Sequence, residues 1–225
     1  MQDYSQKAIL LSFHLAYLRL EVTPSYKLAT DSVIWDDFLA GSQEAYAFMY
    51  NKYARTLYNY GYKIAQDRQL TEDCLQDLFL TLLESRERLG RTDSIKFYLM
   101  KALRRDIVRR LTAEHRFADT GHEVDFRLEF HYEPSWLDRQ ITQERSEALL
   151  LELNRLPARQ KEAIFLKFFD NLSYEEVASV MGIEQTSAYK VIYKAIASLQ
   201  KRALLDLLLL FVIPALGGCV LGFYR

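Results

Sequence analysis

The chain has 225 residues, of which 50% are hydrophobic and 26% are charged, and its formal net charge is −1. This composition is typical of folded globular proteins, so it excludes a chain that is disordered throughout, and the length allows two small domains. A chain this close to neutral lacks the basic surplus of a self-sufficient DNA-binding protein. Either DNA is not the partner, therefore, or a larger assembly helps to hold it, and the local distribution of charge must decide between the two.

The two cysteines, Cys74 and Cys219, lie far apart, and the four histidines show no metal-ligand spacing such as HExxH. Neither a disulfide framework nor a thiolate zinc site is expected. The sequence also contains no phosphate-binding glycine loop, no GxSxG motif and no unexplained carboxylate pair. We expect no metal, no cofactor and no enzymatic activity, and the cysteine usage indicates a reducing cytoplasm.

Only 8 Gly and 4 Pro interrupt long stretches in which apolar side chains recur at spacings of three and four. This spacing is typical of amphipathic helices, and we find no alternating pattern long enough for a sheet. The predicted fold class is all-α. It consists of two small helical domains joined by an acidic linker, and the second of them is a helix-turn-helix domain.

The first predicted domain spans residues 31–111, through which helical patterning is continuous. It follows an N-terminal extension, residues 1–30, that is either a short amphipathic helix or a segment without a role. Two buried stripes are expected: Tyr46, Met49, Tyr53, Leu57 and Tyr60, and then Leu75, Leu78, Phe79 and Leu82. Thr71 is the expected start of the second helix, because a hydroxyl cap followed by carboxylates complements the free amides there.

The helix that follows Thr71 has an acidic outer face, which comprises Glu72, Asp73, Gln76, Asp77 and Glu84. These carboxylates would repel DNA, so a basic protein surface is the expected partner of this face. Charged helix faces also commonly serve solubility alone, and that alternative stays open for the face taken by itself.

A basic helix closes the first domain. Its expected buried side is formed by Leu99, Leu103, Ile107 and Leu111, which recur every four residues. Another face carries the bases Lys101, Arg104, Arg105, Arg109 and Arg110, opposed only by Asp106. On a near-neutral protein such a stripe is a candidate DNA-binding surface, with a merely solvated face as the alternative.

Residues 112–140 lose the helical pattern and carry many acids interleaved with aromatic side chains such as Phe126 and Trp136. We interpret this segment as an acidic linker, which is either a solvated tether or a segment with a role of its own. Helical patterning returns over residues 141–203, the second predicted domain.

Within the second domain, the segment 171–201 has the spacing of a helix-turn-helix. Ser173 can cap the first helix while Glu176 reaches back to its backbone amide, which makes a capping box. Ala178 is small where two helices must cross closely, and Gly182, four residues later, supplies the sharp turn. For this spacing alone, an ordinary helical hairpin is the alternative.

The second helix of the motif is predicted to begin near Thr186 or Ser187, and Ala188 with Val191 or Ile192 forms its buried side. Its outward side chains are Gln185, Thr186, Tyr189, Lys190, Tyr193 and Lys194. Amides and hydroxyls can bond base edges or phosphates, and lysines four residues apart suit the DNA backbone. The helix contains no acid up to Lys201, so nothing in it opposes docking on phosphates.

Residues 204–225 form a hydrophobic C-terminal tail that contains one acid, Asp206. At about 1.5 Å per residue, a helix from Leu204 to Tyr224 approaches the roughly 30 Å hydrocarbon core of a bilayer. Pro214 and the neighbouring glycines weaken such a helix, so the tail either anchors the chain to a membrane or packs on the protein or a partner. The expected location is cytoplasmic, with or without membrane contact through this tail.

Taken in chain order, these segments resemble the extracytoplasmic-function group of sigma factors, in the sigma-70 family, over about residues 31–203. The family's core-binding helix is similar to LTEDCLQDLFLTLLESRERL, with Gln76, Asp77 and Phe79 at the positions of its glutamine, acid and phenylalanine. Its promoter-melting helix is similar to IKFYLMKALRRDIVRRL, and its helix-turn-helix domain to LPARQKEAIFLKFFDNLSYEEVASVMGIEQTSAYKVIYKAIASLQ. Three matches in the family's order are much more specific than any one.

The resemblance implies a sigma factor that binds core RNA polymerase and directs it to promoter DNA. The acidic face, through Asp73, Gln76 and Asp77, would bind a basic surface of the polymerase, and the basic helix would melt the −10 element. The −35 element would be read by Thr186, Ser187, Tyr189, Lys190 and Lys194. The linker would run near the RNA path, and an anti-sigma factor is a further partner consistent with the resemblance.

The chain departs from the family at three positions. Leu83 stands where a tryptophan is frequent, Arg105 where an asparagine is frequent and Tyr189 where a lysine is frequent, so the promoter sequence cannot be transferred from relatives. The alternative function is a stand-alone helix-turn-helix transcriptional regulator. Such a regulator would bind its operator without polymerase, whereas a near-neutral sigma factor would bind promoter DNA poorly until polymerase is present.

Overall fold

The computed structural model describes residues 26, 28–118, 126–128 and 149–220, with the backbone alone for 114–118 and 203–220. The chain divides into two compact units, Met1–Asp125 and Phe126–Arg225. Every regular element in the described ranges is a helix, and the prediction of an all-α fold is confirmed.

The first unit is built on four helices in the described ranges: α1 (Asp31–Leu39), α2 (Gln43–Ala65), α3 (Arg68–Ser85) and α4 (Ile95–Ala118), with a 3-10 turn at Arg86–Arg88. α2 packs against both α3 and α4, and α3 packs against α4. All nine residues of the two predicted stripes are buried at these contacts. The apolar spacing that predicted continuous helix over residues 31–111 thus corresponds to several separate helices.

The prediction that the helix of the acidic face begins at Thr71 is wrong. The helix α3 begins at Arg68, and the Asp67 carboxylate caps it by accepting the Leu70 N–H at 2.9 Å. Thr71 lies inside the helix, fully buried, and its hydroxyl donates to the carbonyl of Asp67 at 2.6 Å. An aspartate caps a helix at least as well as a threonine, so the earlier cap prevails.

Gly61 is the point at which α2 meets both neighbouring helices. A Cβ atom at this position would lie 3.0 Å from Cδ1 of Ile107 and 3.1 Å from Cγ2 of Thr71. Core atoms in proteins are packed as densely as organic crystals, so these neighbours have little room to move. The glycine is therefore required for the close crossing of α2 with α3 and α4.

Helix α1 fixes the start of α4. The Asp31 carboxylate accepts the backbone N–H of Ile95 at 2.9 Å and the hydroxyl of Tyr53, also at 2.9 Å. The indole N–H of Trp35 donates to the carbonyl of Gly90 at 2.9 Å, in the segment that leads into α4. One carboxylate thus joins α1, α2 and α4, and it satisfies an amide at the α4 N-terminus that has no partner within its own helix.

The second unit contains a helical segment at 149–154, then α5 (Ala158–Ile164), which continues into a π-helical turn at Phe165–Phe169, and then α6 (Tyr174–Met181) and α7 (Gln185–Val220). Both α5 and α6 pack on α7. The shared core includes Ala163, Leu166, Val177, Ala188 and Ile192, each buried. These contacts hold α6 against the first turns of α7.

Part of the predicted linker is packed on the second unit. The Phe126 ring lies 5.7 Å from that of Phe165, and Leu128 exchanges two hydrogen bonds with the Asn154 side chain. Both Phe126 and Leu128 are buried, so this part is not a solvated tether. α4 continues past Leu111 to Ala118, and the remainder of 112–140 lies outside the described residues. The predicted domain boundaries stay a prediction.

The two ends of the chain fall largely outside the structural description. Residues 1–25, 27 and 221–225 are not described, and 203–220 are described by their backbone only. The roles predicted for the extension and for the hydrophobic tail therefore stay predictions. Where the structure does describe the chain, it contains no helix with both the length and the apolar character needed to cross a membrane.

Candidate interfaces for DNA and polymerase

The basic stripe of α4 is presented as predicted, with one correction to its buried side. Leu99, Leu103 and Ile107 are fully buried, which turns the basic face outward. Lys101, Arg105 and Arg109 are exposed, and Arg104 and Arg110 are half-buried. The prediction that Leu111 is buried is wrong: it is half-exposed, because it lies one turn past Ile107, the last fully buried member of the series.

An ionic network lies at the C-terminal part of this stripe. The Arg110 guanidinium donates to the Asp77 carboxylate of α3 and lies 3.1 Å from the Asp106 carboxylate. Arg109 also pairs with Asp106. Arg110 was predicted to bind DNA and Asp77 to bind polymerase, and the fold brings these two residues into direct contact. The two candidate surfaces of the first unit therefore share an ion pair.

The acidic face of α3 is outside the core, as predicted. Leu75, Leu78 and Phe79 are buried on the opposite side. Gln76 is exposed, and Asp73 accepts a hydrogen bond at 3.0 Å from the Gln69 side chain one turn earlier. Asp73, Gln76 and Asp77 thus lie along one partly exposed side of α3, available to a basic partner.

A groove of about 510 Å³ separates α3 from α4. Asp77, Asp106 and Arg110 line it, and so do the apolar side chains of Leu89 and Tyr98. The groove lies where the acidic and basic faces approach each other. It belongs to both candidate surfaces of the first unit.

The helix-turn-helix is formed by α6, the turn at Gly182 and the first turns of α7. The capping box is present: the Ser173 N–H donates to Glu176 Oε2 at 2.7 Å, and the Glu176 N–H donates to Ser173 Oγ at 3.1 Å. Gly182 has a φ of 66°, in the left-handed region that favours glycine, and the next amide, of Ile183, donates to the Ala178 carbonyl at 2.9 Å. These predictions are confirmed.

The recognition helix, by which we mean the first turns of α7, begins at Gln185, close to the predicted start. Ala188 and Ile192 are buried, so Ile192, rather than Val191, completes its inner side. Thr186, Lys190 and Lys194 are exposed, and Ser187 is half-buried. Among the described residues, neither lysine has an ion-pair partner, which leaves both ammonium groups available to phosphates.

Two residues next to this surface were missed by the sequence analysis. The Tyr174 ring stacks on the Tyr189 ring, with centroids 4.1 Å apart and planes 21° apart. The ammonium of Lys167, in the π-helical turn, lies 4.6 Å from the Tyr174 ring centroid. These contacts connect elements that are distant in sequence, and no local pattern signals them.

Cys74 is a buried core residue of the first unit. Burial raises the pKa of the Cys74 thiol to about 12. The reactive thiolate is therefore scarce near neutral pH, and Cys74 acts as a small core residue. The described part of the chain holds no cluster of three or more His, Cys, Asp or Glu side chains arranged to bind a metal ion.

Two family models match the chain, in the order that the motifs predict. Sigma-70 region 2 matches residues 49–117, and Sigma-70, region 4 matches residues 146–199, which together make up more than half of the chain. The chain belongs to the sigma-70 family, in its extracytoplasmic-function group. The region 2 match contains α3 and the basic stripe of this sigma factor, and the region 4 match contains its helix-turn-helix.

Individual relatives agree with this assignment. The chain is 30% identical to the ECF RNA polymerase sigma factor BldN of Streptomyces coelicolor over 169 residues, which are 72% of this chain and 61% of BldN. It is 22% identical to the RNA polymerase sigma factor YlaC of Bacillus subtilis over 156 residues, 68% of this chain and 88% of YlaC. The chain thus spans less than two thirds of the length of BldN.

Among solved structures, the fold is similar to that of CnrH in complex with the cytosolic domain of CnrY. The identity is 19% and the TM-score is 0.51, over 78% of this chain and 97% of that chain. At this identity the likeness concerns the fold alone. Helix α1 of this sigma factor lies outside the region 2 match, although Asp31 and Trp35 on it hold the start of the basic helix.

Proposed function

We propose that this sigma factor binds core RNA polymerase, directs it to promoters by recognising −10 and −35 elements, and thereby starts transcription. It catalyses no reaction of its own, as is general for sigma factors, and it acts in the cytoplasm, where RNA polymerase works. The proposal covers the activity of the whole protein, including the residues that the matches do not reach.

One observation carries this proposal: regions 2 and 4 follow each other in the chain, and each exposes charge suited to its partner. α3 exposes Asp77 and neighbouring polar groups, which complement a basic protein surface. The recognition helix exposes Lys190 and Lys194 without an intervening acid, which complements phosphates. A stand-alone regulator does not require an acidic face that binds a basic protein partner.

We assign roles to the interface residues on these grounds. Asp73, Gln76 and Asp77 contact the polymerase, and Lys101, Arg104, Arg105, Arg109 and Arg110 contact the −10 region. Thr186, Ser187 and Tyr189 face the −35 bases, while Lys190 and Lys194 contact its phosphates. Each of these side chains is exposed or half-exposed, and the recognition helix contains no acid up to Lys201, which supports the assignment.

Run-off transcription tests the proposal. Cognate core polymerase is supplied with genomic promoter fragments, with and without the purified chain, and transcripts of discrete length are expected only when the chain is present. The alternative, a stand-alone regulator, predicts instead that the chain alone binds an operator tightly. Tight DNA binding without polymerase, together with no polymerase-dependent transcript, would overturn the sigma-factor proposal.

An anti-sigma factor is proposed as a third partner. Its docking would cover surfaces that polymerase or DNA requires, so that transcription stops without proteolysis of the chain. Co-purification of the tagged chain from its own bacterium, followed by addition of the recovered protein to the run-off reaction, tests this. A recovered partner that leaves transcription unchanged would speak against an inhibitor.

The hydrophobic tail, residues 204–225, is proposed to pack on the protein or a partner, with a membrane anchor as the alternative. Because every residue assigned to DNA or polymerase precedes it, a chain shortened to end at Arg202 is expected to keep run-off activity and to be more soluble. Fractionation of the full chain separates the two: recovery in carbonate-washed membranes supports the anchor, and recovery in the soluble fraction supports the packed tail.

A further inference from the structure

Three side chains contact one another in series at the partly exposed surface of the helix-turn-helix, an arrangement that we call the stack. The Lys167 ammonium lies against one aromatic ring, that of Tyr174, which in turn stacks on the ring of Tyr189 at a centroid distance of 4.1 Å. Lys167 is itself held by a hydrogen bond of 3.0 Å from its ammonium to the Leu172 carbonyl. The stack therefore links the π-helical turn, the first residue of α6 and the recognition helix.

The stack orders a side chain that would otherwise be free to change rotamer. Tyr189 lies in the first turns of α7, on the same exposed side as Thr186 and Lys190. About half of the residue, 49%, remains accessible beside the stack. An aromatic ring that is already held in place loses little conformational entropy when it contacts a ligand, so it is suited to recognition.

The two helices of the motif also share a buried core that does not include the two tyrosines. This core includes Val177, Ala178, Ala188 and Ile192, which are all buried. The two tyrosine rings are only partly buried: Tyr174 is half-buried and Tyr189 is half-exposed. A contact that fixes a partly exposed ring beside a complete core places that ring to meet a partner.

From this geometry we propose that Tyr189 reads the 5-methyl group of a thymine in the −35 element, and that Tyr174 and Lys167 are positioning residues for its ring. The proposal rests on the proposed function, because it requires that the recognition helix enters the major groove. The thymine methyl is the apolar group that the major groove presents, and apolar side chains recognise it by contact. Thr186 and Lys190, beside the ring, supply the polar contacts.

The test begins with the DNA that the holoenzyme itself selects. Full-length chain with cognate core polymerase selects −35 sequences from a promoter library randomised in that element. Each selected thymine is then replaced singly by deoxyuridine, which removes only the methyl group. We expect one replacement to weaken holoenzyme binding by about fourfold, the effect of losing one buried methyl group, and the remaining replacements to have little effect.

Substitutions in the stack test whether these side chains discriminate thymine from deoxyuridine. The quantity compared is the ratio of holoenzyme affinity for thymine DNA to that for deoxyuridine DNA. Tyr189→Phe is expected to keep this ratio at the native value, and Tyr189→Ala to bring it to one. Tyr174→Phe is expected to retain the ratio, whereas Tyr174→Ala and Lys167→Ala reduce it. Thermal unfolding of each variant is recorded beside binding. A positioning role changes the ratio between the two DNAs, while a purely structural role would weaken binding to both equally.

The outcomes separate this inference from the proposed function. If the holoenzyme selects no −35 element at all, the proposed function fails. If it selects an element that contains no thymine, or if the ratio is unchanged in Tyr189→Ala, the methyl contact is overturned while the sigma function stands. A ratio that is lost in Tyr189→Phe would mean that the hydroxyl makes the contact, and an unchanged ratio in Tyr174→Ala would overturn the positioning role.

Discussion

The two units of this sigma factor differ in whether the charges on their candidate interfaces are ion-paired. In the first unit, Arg110 pairs with both Asp77 and Asp106, so charges on two candidate interfaces neutralise each other. In the second unit, Lys190 and Lys194 are exposed and have no ion-pair partner among the described residues. The two candidate interfaces of the first unit thus share ion-paired side chains, whereas the candidate DNA interface of the second unit carries two lysines that no described residue neutralises.

Reversing the charge at Asp77 is expected to have the largest effect of the substitutions that follow. Asp77→Arg is expected to weaken binding to core polymerase by about a hundredfold, since like charges brought together at an interface cost several kcal/mol. The domain should stay folded, because Arg110 keeps Asp106 as a partner at 3.1 Å. Surface plasmon resonance with immobilised polymerase measures the affinity, and circular dichroism monitors the fold.

Two matched variants make this measurement specific. Arg110→Ala removes the intramolecular pair but keeps the carboxylate, so polymerase affinity should be retained or slightly increased. Asp77→Asn removes the charge without reversing it and should lie between the native chain and Asp77→Arg. Undiminished affinity in folded Asp77→Arg would remove α3 from the polymerase interface.

Replacing single glycines with alanine tests which positions in the two units require glycine. Gly61→Ala is expected to lower the free energy of unfolding by about 1–3 kcal/mol, because its Cβ would crowd Ile107 and Thr71 in the core. Gly182→Ala should cost about 1 kcal/mol for a different reason, its φ of +66°, since there is no atom within 4 Å of its Cβ among those described. Gly90→Ala, with open space and no positive φ, is the control. Urea unfolding that shows equal effects for Gly61 and Gly90 would contradict the tight crossing.

The salt dependence of DNA binding tests whether Lys190 and Lys194 contact phosphates. Lys190→Ala combined with Lys194→Ala should weaken −35-dependent binding by the holoenzyme and reduce the slope of log affinity against log salt by about two, one for each phosphate contact. Lys201→Ala, also exposed on α7 but further from the helix start, should leave the slope unchanged. An unaltered slope in the double variant would mean that this helix does not face DNA.

The smallest expected effect concerns a partly exposed ion pair of the second unit. Arg202 lies 3.7 Å from the Glu152 carboxylate, and the two side chains are 34% and 21% exposed. Arg202→Ala should lower the unfolding free energy by about 1 kcal/mol or less, as is usual for exposed pairs, with Lys201→Ala as the neutral control. A larger loss, measured by denaturant titration, would show that the two helices depend on this contact.

Local patterns were sufficient for much of the fold and for the charge carried by the helices that we propose as interfaces. The apolar spacing predicted both buried stripes, and the capping box and Gly182 located the helix-turn-helix, because these signals act within one or two turns of chain. The start of α3 was misplaced because Thr71 was chosen as the cap, although Asp67, four residues earlier, is at least as good a cap. Three bases of α4, Lys101, Arg105 and Arg109, are exposed as predicted, whereas Arg104 and Arg110 are half-buried and no local pattern signalled the pairing of Arg110 with Asp77.

By itself, the sequence determined the all-helical class, the order of the two regions and the sign of the charge that each interface helix exposes, because helical periodicity and charge are properties of neighbouring residues. The tertiary structure decided which side chains from different helices make contact: Arg110 pairs with Asp77, Asp31 accepts the first amide of α4, and Tyr189 stacks on Tyr174. These contacts join residues 15–64 positions apart. Their formation depends on the angle and register at which helices cross, which packing of the whole core sets.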